Sequence, residues 1–204
     1  MGFLDMFRRK PPIGDSDALA RFIDEQAAFL IQKGIYEYAR ARAGHYAKVL
    51  LVEPEFLVAV ERSRWQAYPL GLAMVAELVE GVLRPEIGNA NDRLIAAAFT
   101  AFDRYPAPDA LGPARWRELR GELAQKLERL GRYVVKPVKD IPEPYADAYF
   151  ALMPIHEKLR GRDFATTRNY LRIALCNIHD ELIQRIDAQA LAAEFSRESR
   201  VTAQ

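Results

Sequence analysis

The residues best suited to chemistry lie close together near the C-terminal end of the sequence. Cys176, His179 and Asp180 form the pattern C-x-x-H-D. On a helix Cys176 and His179 share a face, whereas the neighbours His179 and Asp180 point about 100° apart. A thiol, an imidazole and a carboxylate are groups from which nucleophilic or metal-dependent hydrolysis is built. This segment is therefore the candidate catalytic site, and His156 is a further candidate from another part of the chain.

A metal site here would need ligands from other segments, because a zinc ion takes typically three or four protein ligands. His45 and His156 are the other histidines of the sequence. The His179–Asp180 dipeptide resembles the pair that names a helical family of metal-dependent phosphohydrolases. That family uses further histidine and aspartate ligands, and the spacing of His45 and Asp187 here does not reproduce their pattern. We therefore predict no metal and no cofactor.

The same segment also fits a purely structural interpretation. Apolar residues such as Leu175 and Ile178 flank Cys176, and a buried thiol behaves as a small hydrophobic group. The sequence contains no G-x-S-x-G motif, no phosphate-binding loop and no Glu-x-x-His pair. We therefore favour a protein without catalytic activity. The alternative is a hydrolase, metal-dependent or esterase-like, with its site around His179 and Asp180.

Positive charge is concentrated in the segment 113–139. It holds eight basic residues against three acidic ones, an excess of five, whereas the whole chain has a net charge of +1. Such a patch is suited to an anionic partner, although pairs such as Glu122–Lys126 would make it an ordinary solvated helix face. The residues assigned to the basic patch are Arg115, Arg117, Arg120, Lys126, Arg129 and Arg132.

Residues 1–12 form a separate apolar and basic segment that ends at Pro11 and Pro12. Its apolar residues precede its basic ones, which is the reverse of a secretory signal. We expect a weak contact with anionic lipid at the inner face of the membrane, with a disordered start or an apolar plug on the domain as alternatives. The expected contact residues are Phe3, Leu4, Phe7, Arg8, Arg9 and Lys10.

Aromatic residues of the first two predicted helices suggest a third possible function. Together with nearby arginines they are suited to line a cleft for a small anion or an amide, and otherwise they form the polar edge of the core. A small-ligand-binding helical fold is therefore a further alternative. The aromatic residues concerned are Tyr36, Tyr38, Tyr46, Trp65 and Tyr68.

The elements that must position these residues are all predicted to be helices. Apolar residues recur at spacings of three, four and seven, and no segment shows sustained strand alternation. We predict one all-α domain over residues 13–196, a bundle of six to seven helices with two long ones at about 16–51 and 163–195. We expect a kink or a break near Tyr68, where Pro69 follows, a distorted helix over 145–159, and a frayed tail at 197–204.

Composition limits the class of protein. The chain has 204 residues, is 50% hydrophobic and holds one cysteine, which excludes a disordered chain and a disulfide scaffold. It has no apolar run long enough to span a membrane, and its balanced charge argues against dedicated nucleic-acid binding. We expect a cytoplasmic protein that acts through a protein partner or through self-association.

Overall fold

A computed structural model describes residues 10–88 and 91–202 of the chain. Within these residues the protein is an all-α bundle, and the predicted fold class is confirmed. Six of its helices have 13 residues or more, and three are short. In chain order they are α1 (Ser16–Ala43), α2 (Ala47–Leu50), α3 (Pro54–Ile87), α4 (Asn91–Asp103), α5 (Gly112–Leu127), α6 (Ala146–Ala151), α7 (Glu157–Arg160), α8 (Phe164–Arg185) and α9 (Ala188–Thr202).

The core forms around α1 and α3, the two longest helices. Asp15 caps α1 by accepting a hydrogen bond from the Ala18 N–H at 2.7 Å, and α3 begins at Pro54. The two helices approach closely at Gly71. A Cβ atom there would lie 2.7 Å from Cγ1 of Ile31 and 3.1 Å from the carbonyl oxygen of Ala27.

Of the predicted kink or break near Tyr68, the break does not occur, because α3 continues through both Pro69 and Pro85. A proline inside a helix removes one hydrogen bond and costs about 3 kcal/mol. Here every residue from 67 to 76 is buried. The burial of this long apolar face offsets the cost of the missing hydrogen bond. The segment Leu70–Leu83, the most apolar of the sequence, lies in the core as its composition indicates.

Neither predicted long helix extends over its full range. The first ends at Ala43, because Gly44 adopts a φ of 54° and a short 3-10 turn follows. The second is divided into α8 and α9 at Ile186, whose backbone is extended. Ile13 pairs with this residue: its N–H donates to the Arg185 carbonyl at 2.8 Å, and its carbonyl accepts from Asp187 at 2.9 Å. A segment distant in the sequence thus interrupts the helical pattern.

The C-terminal half differs from the sequence-based boundaries in three further places. The helix predicted over 145–159 is two short helices, α6 and α7, with Pro154 in the gap between them. The periodicity of the sequence predicts a helix over 114–132, but α5 ends at Leu127, and a connector with one short 3-10 turn, Val138–Asp140, follows it to Tyr145. Of the predicted tail 197–204, residues up to Thr202 belong to α9.

We expect Gly71→Ala to lower the free energy of unfolding by about 1–3 kcal/mol, because the added methyl group forces α1 and α3 apart. The matched control is Gly121→Ala on α5, where the added atom meets nothing within 4 Å. That change should stabilise the helix by up to about 1 kcal/mol. Urea unfolding followed by circular dichroism measures both. Equal effects of the two substitutions would contradict a close approach at Gly71.

Candidate functional site

The three residues of the C-x-x-H-D pattern all lie on α8, but they do not converge on one cavity. The Nδ1 atom of His179 is 3.5 Å from Oδ1 of Asp180, and Cys176 is half-buried. His179 lines a cleft beneath the connector, whereas Asp180 lines a separate open groove beside Pro12. The predicted catalytic pair is therefore divided between two surfaces.

The other two histidines lie on other elements and are exposed. His45 belongs to the 3-10 turn after α1, and His156 caps α7 by accepting from the Lys158 N–H at 3.3 Å. No group of three histidine, cysteine, aspartate or glutamate residues that could hold a metal occurs in residues 10–88 and 91–202. These residues do not assemble the ligand set that the metal-dependent alternative requires.

The cleft that His179 lines has a volume of about 450 Å³ and is the candidate functional site. We call it the connector cleft, because residues 128–145 form its outer wall while α3, the end of α5 and α8 form the rest. Its surface is largely apolar, as in most small-molecule sites. The apolar residues that line it are Leu78, Val82, Leu130, Val134, Val135, Val138, Ile141, Pro144 and Ile183.

Two carboxylates of α3 hold the connector in place. Glu77 forms an ion pair with Lys136 at 2.7 Å and accepts a hydrogen bond from the Tyr145 hydroxyl at 3.1 Å. Burial and the nearby Glu77 carboxylate raise the pKa of Tyr145, so this hydroxyl stays protonated and donates. The outer wall of the cleft is thus fixed to α3 by charged and neutral contacts of one side chain.

The second carboxylate, Glu80, is almost fully buried at 4% exposure. Arg84 binds it through two hydrogen bonds of 2.6 and 2.8 Å and also donates to the Tyr133 carbonyl at 2.8 Å. The hydrogen bonds to Glu80 raise the pKa of Arg84. A buried carboxylate needs such a partner, because an unpaired buried charge is strongly destabilising. One guanidinium therefore satisfies Glu80 and holds the backbone of the connector.

The predicted basic patch is divided by the structure. Arg115 pairs with Glu118 and Glu122, so the expected Glu122–Lys126 pair does not form. Arg120 binds Asp103 through two hydrogen bonds of 2.8 Å and lies over the ring of Phe99. Arg117 and Arg132 are exposed, and neither lines the connector cleft.

Lys126 and Arg129 are the members of the patch that line the connector cleft. In the part of the chain that the structure describes, neither forms an ion pair with a carboxylate. The cleft therefore combines an apolar surface with two cations that no described acidic side chain neutralises.

Of the residues expected to contact a membrane, the structure describes Lys10. Its Nζ atom lies 2.8 Å from Oε1 of Glu181, next to Arg185, which binds the same carboxylate. Burial alone would raise the pKa of Glu181, but the hydrogen bonds from the two cations lower it. Phe3, Leu4, Phe7, Arg8 and Arg9 lie outside the described residues.

Trp65 and Tyr68 of α3 line a common cavity of about 90 Å³, and Arg64 of the same helix also lines it. The other three aromatic residues of the predicted cleft lie outside this cavity. Tyr46 is 77% exposed, and the Tyr38 hydroxyl donates to Asp163 at 3.0 Å. Tyr68 instead donates to the buried Asp24 at 2.7 Å, together with Tyr105 at 3.1 Å. Burial, followed by the contact with Asp24, raises the pKa of Tyr68. The hydroxyls of Tyr38 and Tyr68 are therefore bonded to carboxylates.

No protein-family model, curated protein or solved structure matches this chain. No helix in the described ranges is both long and apolar enough to cross a membrane.

The sequence by itself predicted part of this cleft and missed the rest. It singled out His179, Lys126 and Arg129, although in two unrelated groups. It missed Glu77 and Glu80 and the apolar residues of the connector, such as Val134 and Val138. The available signal was a run of apolar residues between prolines in a segment with no helical period.

We expect Glu77→Gln to loosen the connector, because it removes the ion pair with Lys136 while preserving the shape of the side chain. The free energy of local opening of the connector should fall by about 1 kcal/mol, as for the loss of a partly exposed charged contact. Hydrogen exchange should accelerate for the amides of residues 131–145 and stay unchanged in α1. Glu86→Gln, an exposed change at the end of the same helix, is the control. Identical exchange in both variants would show that Glu77 does not hold the connector.

Proposed function

We propose that the protein is a non-catalytic binding protein whose connector cleft takes a small ligand with an apolar body and an anionic head. The observation that carries this proposal is the position of Lys126 and Arg129. Both line an apolar cavity, and neither is paired with a carboxylate among the described residues. An anionic group of a ligand would supply the missing partner.

The charges that line the cleft support an anion rather than a cation. Four cations and two carboxylates line it, an excess of two positive charges. Glu77 is paired with Lys136, and Glu80 is paired with Arg84. The excess therefore resides on Lys126 and Arg129. Charge-assisted hydrogen bonds to a carboxylate or phosphate are about twice as strong as neutral ones.

The size and surface of the cleft support a small apolar molecule. Its volume of about 450 Å³ is typical of the sites that hold small ligands. Transfer of an alkyl chain from water into such a cleft contributes about 25 cal/mol of favourable free energy for each square ångström of apolar surface buried. The ligand class that matches both features is an alkyl carboxylate or a comparable amphipathic anion.

A binding function is favoured over hydrolysis by the residues that line the cleft. Within the described residues, the cleft contains no serine, threonine, cysteine or aspartate. His179 is a potential base there, but neither Asp180 nor Cys176 lines the same cavity. A hydrolytic site requires a nucleophile or an activated water within hydrogen-bond reach of the base. The tyrosine hydroxyl of Tyr145 has a raised pKa and is a poor nucleophile.

We expect decanoate to bind the intact protein, and the double variant Lys126→Ala/Arg129→Ala to bind it at least about tenfold more weakly, as for the loss of one charge-assisted contact. Isothermal titration calorimetry measures the affinity. Decan-1-ol and decyltrimethylammonium test the role of the head group, and both should bind more weakly than decanoate.

Arg117→Ala/Arg132→Ala is the matched control, because it also removes two positive charges of the basic segment, and both arginines are exposed and do not line the cleft. It should leave decanoate binding unchanged. Equal losses of decanoate affinity in the control and in Lys126→Ala/Arg129→Ala would show general charge attraction. No preference for decanoate over decyltrimethylammonium would contradict the proposed site.

Contact with an anionic membrane surface is a second proposal, and the position of Lys10 favours a specific form of it. Lys10 is paired with Glu181, so in this proposal the contact with lipid rests on the other basic residues of the segment, Arg8 and Arg9. Each basic residue near such a surface contributes about 1 kcal/mol. The apolar residues Phe3, Leu4 and Phe7 would add hydrophobic burial.

We expect the protein to cosediment with vesicles of phosphatidylcholine and phosphatidylglycerol, and deletion of residues 2–9 to abolish this binding. Arg8→Gln/Arg9→Gln should weaken it about tenfold or more, from the loss of two such charges. Lys10→Gln is the control and should have a much smaller effect, since this charge is already paired. Unchanged vesicle binding after the deletion would contradict the proposal.

A further inference from the structure

A second surface, which shares no residue with the connector cleft, carries exposed apolar side chains. We call it the α2–α3 corner and define it as Tyr46, Val49, Val52, Leu57 and Val58, which lie within 13 consecutive positions where the chain turns from α1 into α3. Three of these are largely exposed: Tyr46 at 77%, Val49 at 58% and Val52 at 68%. A concentration of apolar side chains on a surface marks an interaction site more often than scattered single residues do.

We propose that the α2–α3 corner is a contact surface for a second copy of this chain, related by a two-fold axis. In a two-fold contact the same surface serves both partners, so it must complement itself in shape and in charge. The charges around the corner meet this requirement. Lys48 lies on one side of Val52 along the chain, and Glu53 and Glu55 lie on the other side.

These three charged side chains are exposed, and none forms an ion pair within the described ranges. Antiparallel placement of two corners brings Lys48 of each copy towards Glu53 or Glu55 of the other. Each charge pair then occurs twice, on the two sides of a contact centred on Val49 and Val52. Opposite charges at the edge of an apolar centre are typical of specific protein contacts.

The acidic residues favour a second copy over a lipid surface. Glu53 and Glu55 would be repelled by the anionic headgroups of a membrane, whereas they complement Lys48 of a second copy. The N-terminal segment of the same chain is poorly placed to cover the α2–α3 corner. It joins the domain at Lys10, which is paired with Glu181 near the end of α8. The corner lies near the other end of this helix, because Arg42 beside the corner pairs with Asp163, which precedes α8. Eighteen helical residues separate these two points of α8 by about 27 Å.

Sedimentation equilibrium of the full chain across a concentration series tests this proposal. We expect a reversible dimer, and Val52→Asp should weaken its association at least about 100-fold, since it places an uncompensated charge in the apolar centre. The matched control is Ile173→Asp, which changes a 65% exposed isoleucine of α8 that belongs to neither surface. It should leave the association constant unchanged. Both sites are exposed, and circular dichroism establishes that each variant is folded.

A charge exchange tests the two-fold arrangement itself. Lys48→Glu alone and Glu53→Lys/Glu55→Lys alone should each weaken association about tenfold, and combining all three changes in one chain should restore it. A protein that is monomeric at every concentration would overturn the proposal. So would a dimer that is lost on deletion of residues 2–9, a dimer that persists in Val52→Asp, or a combined variant that stays as weak as the single exchanges.

Discussion

The close approach of α1 and α3 at Gly71 is the constraint on which the rest of the structure depends. The side chain of Ile31 and the carbonyl of Ala27 occupy the space that any larger residue at position 71 would need. With the helices this close, Pro69 lies within a buried stretch of α3, and the helix continues through it without a break. The continuous helix α3 then extends from the α2–α3 corner at one end to Glu77, Glu80 and Arg84 towards the other. One packing contact therefore sets the helix that contributes to both proposed surfaces.

Buried carboxylates connect this core to the elements around it. Asp24 of α1 accepts hydrogen bonds from Tyr68 of α3 and from Tyr105, which follows α4, and Arg104 also contacts it. Glu80 of α3 binds Arg84, which in turn holds the connector backbone. Each carboxylate is satisfied by several donors, which offsets the cost of removing it from water. These polar contacts fix positions that apolar packing alone would leave interchangeable.

The two proposed surfaces use charge in different ways. In the connector cleft, Glu77 and Glu80 neutralise two of the four cations, and the remaining excess lies on Lys126 and Arg129, which matches the proposed anionic ligand. At the α2–α3 corner, charges of both signs surround the apolar residues, and that mixture favours a surface that complements itself. The net charge of a sequence segment does not distinguish these two surfaces, because it does not show which cations are already paired with carboxylates.

The sequence by itself determined the all-α class, the buried segment Leu70–Leu83 and the approximate starts of α1, α3 and α8, since helical periodicity and capping residues are local properties. The tertiary structure decided what depends on distant residues. The pairing of Ile13 with Ile186 ends α8 at Arg185, and burial allows α3 to continue through Pro69. Residues such as Val134 and Glu80 became neighbours across the connector cleft, while His179 and Asp180 faced different cavities. Adjacency in sequence fixes the angle between two side chains on a helix, but the packing of that helix decides which cavity each side chain faces.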